Sequence, residues 1–336
     1  MTIPKGFIWE GVKSDALDVI CEGIENRLGN SFTFFEWREK GGYHVTGSTK
    51  KEFLISCSSK EYGAMLAREV SILLDQALEH RMILANAYQK KDFPSHSWLL
   101  VTTYYWCLFL ALAWLRMIGS VVTFLPTSEI DRLKKLGKKE HKAPGNGTFQ
   151  ISMIDVYGAK SSLQLRKLGS NNFHDGLWQT FFLDIQERLN LAKDEPANME
   201  TRIFSALNFQ NRFDKTSWLS KLRNAVNYRV GFAYGCVDAK RIPDLFDSLE
   251  SVKALSIDAL LHQVESTQTK TGGRPVYERP NEYANSMLLF GVLISRLIED
   301  YYGEILALRG INPTWHERRN SYIARLSGEI GPIWPL

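Results

Sequence analysis

The sequence lacks the features that would mark a secreted or zinc-binding protein. Its four cysteines are scattered and form no CxxC pair: Cys21, Cys57, Cys107 and Cys236. Neither a disulfide framework nor a local zinc site is therefore predicted. The N-terminus also lacks the basic and then apolar layout of a signal peptide. These absences predict a protein of the reducing cytoplasm.

The net charge of the chain is also small. The chain of 336 residues carries 41 basic and 37 acidic side chains, a formal net charge of +4. Such a mild excess permits contact with nucleic acid but does not require it, unlike a strongly basic domain. A chain of this length is at the size where one hydrophobic core usually divides. Two domains, or one enlarged domain, are expected.

Motifs for metal, nucleotide and hydrolase chemistry are missing. No HExxH, GxSxG, GxxxxGK[ST] or GxGxxG pattern occurs, so we predict no metal and no cofactor. His174 is followed by Asp175, but adjacent residues on a helix point in different directions and do not suggest an acid–base pair. We interpret all seven histidines as ordinary side chains: His44, His80, His96, His141, His174, His262 and His316.

Only one long stretch is free of charge, residues 98–115. A membrane span needs about 20 apolar residues, so a membrane anchor is one interpretation. Against it, Thr102 and Thr103 are polar for a bilayer centre, and Arg116 follows at once. A helix buried on all sides in a large α domain explains the same residues, and we predict no membrane contact.

Hydrophobic periodicity predicts a mainly α protein. Helices are predicted at residues 9–28, 60–90, 174–191, 199–209, 281–309 and 313–326, with one or two more in 237–264. Residues 32–37, 43–46 and 52–57 are rich in β-forming types and separated by turn signals, which predicts a small N-terminal antiparallel element. A short strand is also predicted around residues 149–156.

A long insert at about residues 126–172 contains a basic cluster. Such clusters are usually solvated and loop-like, although lysines can also neutralise an RNA backbone. The candidate RNA-binding residues are Lys134, Lys135, Lys138 and Lys139. Residues 267–280 are polar and contain glycine and proline, as is typical of a linker. The predicted regions are an N-terminal 1–92, a helical core 93–266 with this insert, and C-terminal helices 267–336.

The most informative segment is residues 218–229. At about 100° per residue, it forms a helix with an apolar side and a polar stripe. The stripe contains Ser220, Arg223, Asn224, Asn227 and Tyr228. Arginine presents a fork of donors suited to phosphate, and amides can orient it. The alternative is a solvated helix face, since surface helices normally have a polar arc.

This segment resembles the signature helix of the HEPN superfamily, all-α domains of prokaryotic toxins and anti-phage defence proteins. The family pattern is an arginine, often followed by a polar residue, and then a histidine. Arg223 and Asn224 match, whereas Tyr228 occupies the histidine position. Residues 102–119 resemble the long early helix of many such domains, with Tyr104-Tyr105 near its start and Gly119 at its end.

The resemblance implies a HEPN-like helical bundle with a long insert, acting as a homodimer that binds or cleaves RNA without metal in a defence or toxin system. Arg223 would stabilise phosphate charge, while Asn224 and Asn227 would orient the scissile group. Tyr228 would at best donate a proton, since its ordinary pKa of about 10 makes it a poor base. The alternative is a catalytically inactive HEPN-like module that docks a partner protein from the same operon.

Overall fold

The computed structural model describes residues 3, 5–20, 32–90, 95–137, 142–170, 172–209, 218–229, 256–271 and 280–310. Within these ranges the chain is mainly α-helical, as predicted, with one antiparallel sheet. The predicted closing helix at 313–326 and residues 237–255 lie outside the described residues.

The described helices follow in chain order. They are α1 (Phe7–Val19), α2 (Phe34–Lys40), α3 (Ser59–Lys90), α4 (His96–Met117), α5 (Thr127–Leu136), α6 (Phe173–Leu191), α7 (Met199–Phe209), α8 (Trp218–Tyr228), α9 (Ile257–Thr271) and α10 (Pro280–Leu308). The strands are β1 (Tyr43–Ser48), β2 (Glu52–Ser58), β3 (Ser120–Leu125), β4 (Gly147–Tyr157) and β5 (Lys160–Lys167).

Helix α4 is the centre of the helical core. It packs against α3 and α10, and its Trp106 and Trp114 are fully enclosed. Gly291 of α10 permits this close approach, because an added Cβ would lie 2.7 Å from the Trp106 ring. Ser97–Met117 is long and apolar enough to cross a membrane, but 78% of its apolar window is buried inside the fold. Burial in protein therefore accounts for the long uncharged run.

The sheet is larger than the small N-terminal element predicted. Its strand order is β1-β2-β5-β4-β3, and every neighbouring pair is antiparallel. Phe53 pairs with Leu165 and Ile55 pairs with Leu163, so apolar side chains alternate toward the core. The sheet therefore combines two strands from the N-terminal region with three from beyond residue 92.

Residues 32–37 were predicted to be β-forming, and this is wrong from Phe34 onward. Thr33 and Glu36 form a capping box that begins α2, with the Glu36 carboxylate accepting from the Thr33 backbone N–H at 2.7 Å. Gly41 ends the helix with a left-handed backbone, φ 70°. The capping pair and the terminal glycine outweigh the β propensity of the aromatic residues.

The insert and the predicted linker also differ from expectation. Instead of a mainly loop-like excursion, the insert contains α5 and the hairpin of β4 and β5. The predicted strand at 149–156 is confirmed and extends over Gly147–Tyr157. The predicted linker at 267–280 begins inside α9, which continues to Thr271. A polar stretch of sequence can be either a loop or the exposed face of a helix or strand.

Candidate functional site

Helix α8 confirms the amphipathic segment predicted from the sequence. Trp218, Leu219 and Leu222 are buried, whereas Arg223 and Asn224 are half-buried. One position differs from the helical wheel: Ser220 is only 3% exposed. Because α8 packs against α4, α6 and α10, its covered surface is wider than its apolar arc.

Arg223 is held by neutral groups. Its Nη1 donates to Asn224 Oδ1 at 3.0 Å, and its Nη2 donates to the Tyr105 hydroxyl at 3.3 Å. Its Nε is buried and has no hydrogen-bond partner among the described residues. No carboxylate of the described chain lies within ion-pair distance of this guanidinium. Arg223 is thus oriented by an amide and a phenol while its charge remains available to an anion.

Other enclosed arginines are neutralised. Arg116 donates to Glu69 at 2.6 Å, and Arg188 reaches Asp15 at 2.7 Å. A buried cation is normally paired because desolvating it alone costs several kcal/mol. Arg223 differs from these two arginines in having no carboxylate within ion-pair distance in the described part of the chain.

A histidine from another helix completes the site. His174, in the first turn of α6, places Nδ1 2.8 Å from the Tyr104 hydroxyl. The Trp178 indole N–H donates to the same hydroxyl at 3.2 Å. Asn172 caps α6 by accepting from the His174 backbone N–H at 3.0 Å. The imidazole is consequently fixed by its own helix cap and by a buried phenol of α4.

The surroundings alter the acid–base properties of these groups. Partial burial lowers the pKa of His174, and the nearby positive charge of Arg223 lowers it further. Burial raises the pKa of the Tyr104 phenol to about 12, with the Trp178 hydrogen bond and the Arg223 charge opposing that rise. Near neutral pH, the site therefore combines a neutral phenol, a cation and an imidazole that favours its neutral form.

The remaining predicted site residues occupy different positions. Asn227 and Tyr228 are exposed at the end of α8, with Tyr228 at 74%. Tyr228 lies near enough for its charge state to influence Arg223. Lys134 and Lys135 are exposed on α5, where Lys134 pairs with Asp131 at 3.2 Å. No described hydrogen bond or ion pair joins either lysine to the α8 site. The predicted Lys138 and Lys139 lie outside the described residues.

The sequence interpretation missed His174, Tyr104 and Tyr105 as site residues. In the sequence, the tyrosine pair indicates only the family resemblance, and His174 stands out only beside its neighbour Asp175. A usable signal existed, because two adjacent phenols inside an otherwise apolar helix need polar partners once that helix is buried. Which helix supplies those partners depends on the packing of α6 and α8 against α4.

Among the described residues, no three His, Cys, Asp or Glu side chains form a group able to hold a metal ion. No family model, curated protein or solved structure matches this chain. The resemblance to the HEPN superfamily therefore depends on the residues of α4 and α8 themselves.

Proposed function

We propose that this chain is a HEPN-like, cytoplasmic protein that binds RNA at the α8 site, as a homodimer in a prokaryotic defence or toxin system. A single observation carries the proposal: Arg223 is half-buried, oriented by Asn224 and Tyr105, and lacks a carboxylate partner in the described chain. An RNA phosphate is the complement of such a group, since guanidinium donors match phosphate oxygens in charge and geometry.

The edge of the site suits a single strand. Tyr228 presents an exposed ring at the end of α8, close to Arg223. Exposed aromatic rings stack on unpaired bases, and cations beside them bind the backbone. The combination favours single-stranded RNA over a duplex whose bases are stacked inside. A second copy of the chain, packed over the same end of α8, would enclose the bound strand.

RNA binding is tested by fluorescence anisotropy with a labelled, mixed-sequence single-stranded RNA. We expect Arg223→Ala to weaken binding about tenfold or more, because hydrogen bonds to charged groups contribute about 1.5–3 kcal/mol. Arg202→Ala is the matched control, since it removes the same charge from an exposed pair with Asp258. Undetectable binding by the wild type, or equal weakening by both variants, would overturn the proposal.

The second candidate function is a non-catalytic interaction module that docks a partner protein from the same operon. The specific observation in its favour is the exposure of Asn227 and Tyr228, with a phenol at the family's histidine position. Light scattering separates the surfaces: a homodimer has twice the 38.4 kDa mass of the chain. If Tyr228→Glu splits a dimer and RNA binding by the wild type is absent, the interaction module is favoured.

A further inference from the structure

The surroundings of His174 leave one of its two ring nitrogens available for proton exchange. Its Nδ1 is occupied by Tyr104, which is itself anchored by Trp178. The side chain is half-buried, and its Nε2 has no hydrogen-bond partner in the described part of the chain. One ring nitrogen is therefore held, and the other is left for a ligand.

The position of the phenol permits both roles of an imidazole. With the proton on Nδ1, that nitrogen donates to Tyr104 and Nε2 is a base. With the proton on Nε2, Nδ1 accepts from Tyr104 and Nε2 is a donor. A phenol serves either tautomer because its oxygen both donates and accepts. Tyr104 thus orients the ring without restricting it to one tautomer.

The imidazole and the guanidinium belong to one polar cluster. Arg223 bonds to Tyr105, and the rings of Tyr104 and Tyr105 lie 5.5 Å apart between centroids. The charged and titratable groups that act on His174 are Arg223 from α8, Tyr104 from α4 and Asp175 on its own helix. Because the charge of Arg223 acts on the imidazole, a phosphate held by Arg223 would belong to the same polar cluster as His174.

We propose that His174 is the proton-transfer residue of this site in RNA cleavage, the reaction that the resemblance to the HEPN superfamily implies. The assignment rests on the proposed function. Nε2 takes the proton of the ribose 2′-hydroxyl, the 2′-oxygen bonds to phosphorus, and the bond from phosphorus to the 5′-oxygen breaks. The leaving oxygen takes a proton from water, and the resulting hydroxide takes the proton from the imidazolium. The products are a 2′,3′-cyclic phosphate and a 5′-hydroxyl.

Arg223 has a separate part in this step. Negative charge grows on the non-bridging phosphate oxygens as the 2′-oxygen attacks, and a preorganised guanidinium stabilises that charge. The base is thus supplied by α6, and not by the position on α8 that Tyr228 occupies. Because His174 and Arg223 lie on different helices, the residue spacing along α8 does not reveal that they belong to one site.

The test measures RNA binding and cleavage in parallel with the full chain. We expect His174→Gln to bind RNA within about twofold of the wild type and to cleave it about 10²-fold to 10⁴-fold more slowly. His262→Gln, at an exposed histidine of α9, is the matched control and should cleave like the wild type. A DNA strand of the same length, which lacks the 2′-hydroxyl, should bind without being cut.

Free imidazole keeps the test informative if the glutamine variant is poorly folded. We expect added imidazole to restore cutting by His174→Ala, and the wild-type rate to rise with pH and level off at a midpoint below 6.5. If the wild type does not bind RNA, the proposed function fails. If it binds without cutting, or if His174→Gln cuts at the wild-type rate, the assignment of His174 is wrong while RNA binding stands.

Tyr104 acts through His174 as a positioning residue. Tyr104→Phe should lower the cleavage rate, leave RNA binding unchanged and shift the imidazole pKa measured by NMR. A merely structural role would lower thermal stability without moving the pKa of His174. A variant with normal cleavage and an unmoved imidazole pKa would remove Tyr104 from the assignment.

Discussion

Two arginines contact the central helix α4, and they differ in whether a carboxylate pairs with them. Arg188 of α6 is 8% exposed and is surrounded by Asp15 and Asp184, while Asp184 also accepts from the Trp114 indole at 2.7 Å. Arg223 of α8 also faces α4 but meets only an amide and a phenol. The Arg188 guanidinium is paired with carboxylates inside the fold. The Arg223 guanidinium has no such partner in the described chain and can bind an anion from outside.

The difference separates stability from binding. Arg188 already has its carboxylate partners, and removing it leaves Asp184, whose side chain is 17% exposed, as a poorly solvated charge without its cation. An open cation contributes little to folding, since the protein provides it no counter-ion. The comparison therefore predicts that substitutions in the two clusters affect different measurements.

The largest effect is expected for Arg188→Ala. It leaves Asp184 without its cation beside a buried tryptophan, and should reduce the free energy of unfolding by about 3–5 kcal/mol. Arg223→Ala should reduce it by less than about 1 kcal/mol, because the Asn224 amide and the Tyr105 hydroxyl that lose its hydrogen bonds are half-buried and can bond to water instead. Urea denaturation monitored by circular dichroism measures both. Equal losses would show that Arg223 is a structural arginine.

Tyr104→Phe should have an intermediate effect of about 1–2 kcal/mol on unfolding, because the buried Trp178 indole N–H loses its acceptor. Tyr105→Phe is the matched control at the neighbouring, half-buried phenol, and should cost less. Equal destabilisation of the two variants would show that the hydrogen bonds of Tyr104 contribute no more to stability than those of the half-buried Tyr105.

A smaller, pH-dependent effect belongs to His174. Its pKa in the fold lies below its ordinary value of 6.5, so the unfolded chain takes up the proton first as the pH falls. The stability contributed by the neutral imidazole is complete above pH 6.5, is lost as the pH falls through the lowered pKa, and is then constant. Denaturation between pH 5 and 7.5 should show this slope in the wild type and not in His174→Gln.

The charge of Arg223 can be separated from burial in the same experiment. Because that charge lowers the pKa of His174, Arg223→Ala should move the pKa upward, toward 6.5. NMR titration of the imidazole signals measures the shift. An unchanged pKa would mean that the guanidinium and the imidazole do not share one electrostatic environment.

The smallest effect is expected for Tyr228→Ala. The side chain is 74% exposed, and surface substitutions usually change stability by less than about 0.5 kcal/mol. Unfolding should be measured at low protein concentration, where self-association contributes least. A larger loss would place Tyr228 in a packed contact and would weaken the contrast between the two clusters.

Much of the helical framework follows from periodicity. The patterns of α3, α6, α7, α8 and α10 predict their existence and, within a few residues, their bounds. The error at α2 arises because aromatic residues favour strands in isolation, while its capping box and terminal glycine favour a helix. The error in the insert arises because charged residues on α5 resemble those of a loop.

The candidate site, like the fold, can be predicted only in part from the sequence. Arg223 and Asn224 are found from one helix, since residues on the same stretch of α8 share a face by helical geometry alone. His174 and Tyr104 are separated by 70 residues, and no local pattern joins them. Their hydrogen bond exists only because α6 packs on α4.

Residue spacing was enough to establish a helix-rich chain and one helix with a cation among amides. It was not enough to say whether that cation is neutralised, which imidazole lies beside it, or that strands from distant segments form one sheet. Those outcomes depend on contacts between elements far apart in the chain. Such contacts arise when apolar faces exclude water together, and the polar groups at their margins then meet the partners that packing has placed there.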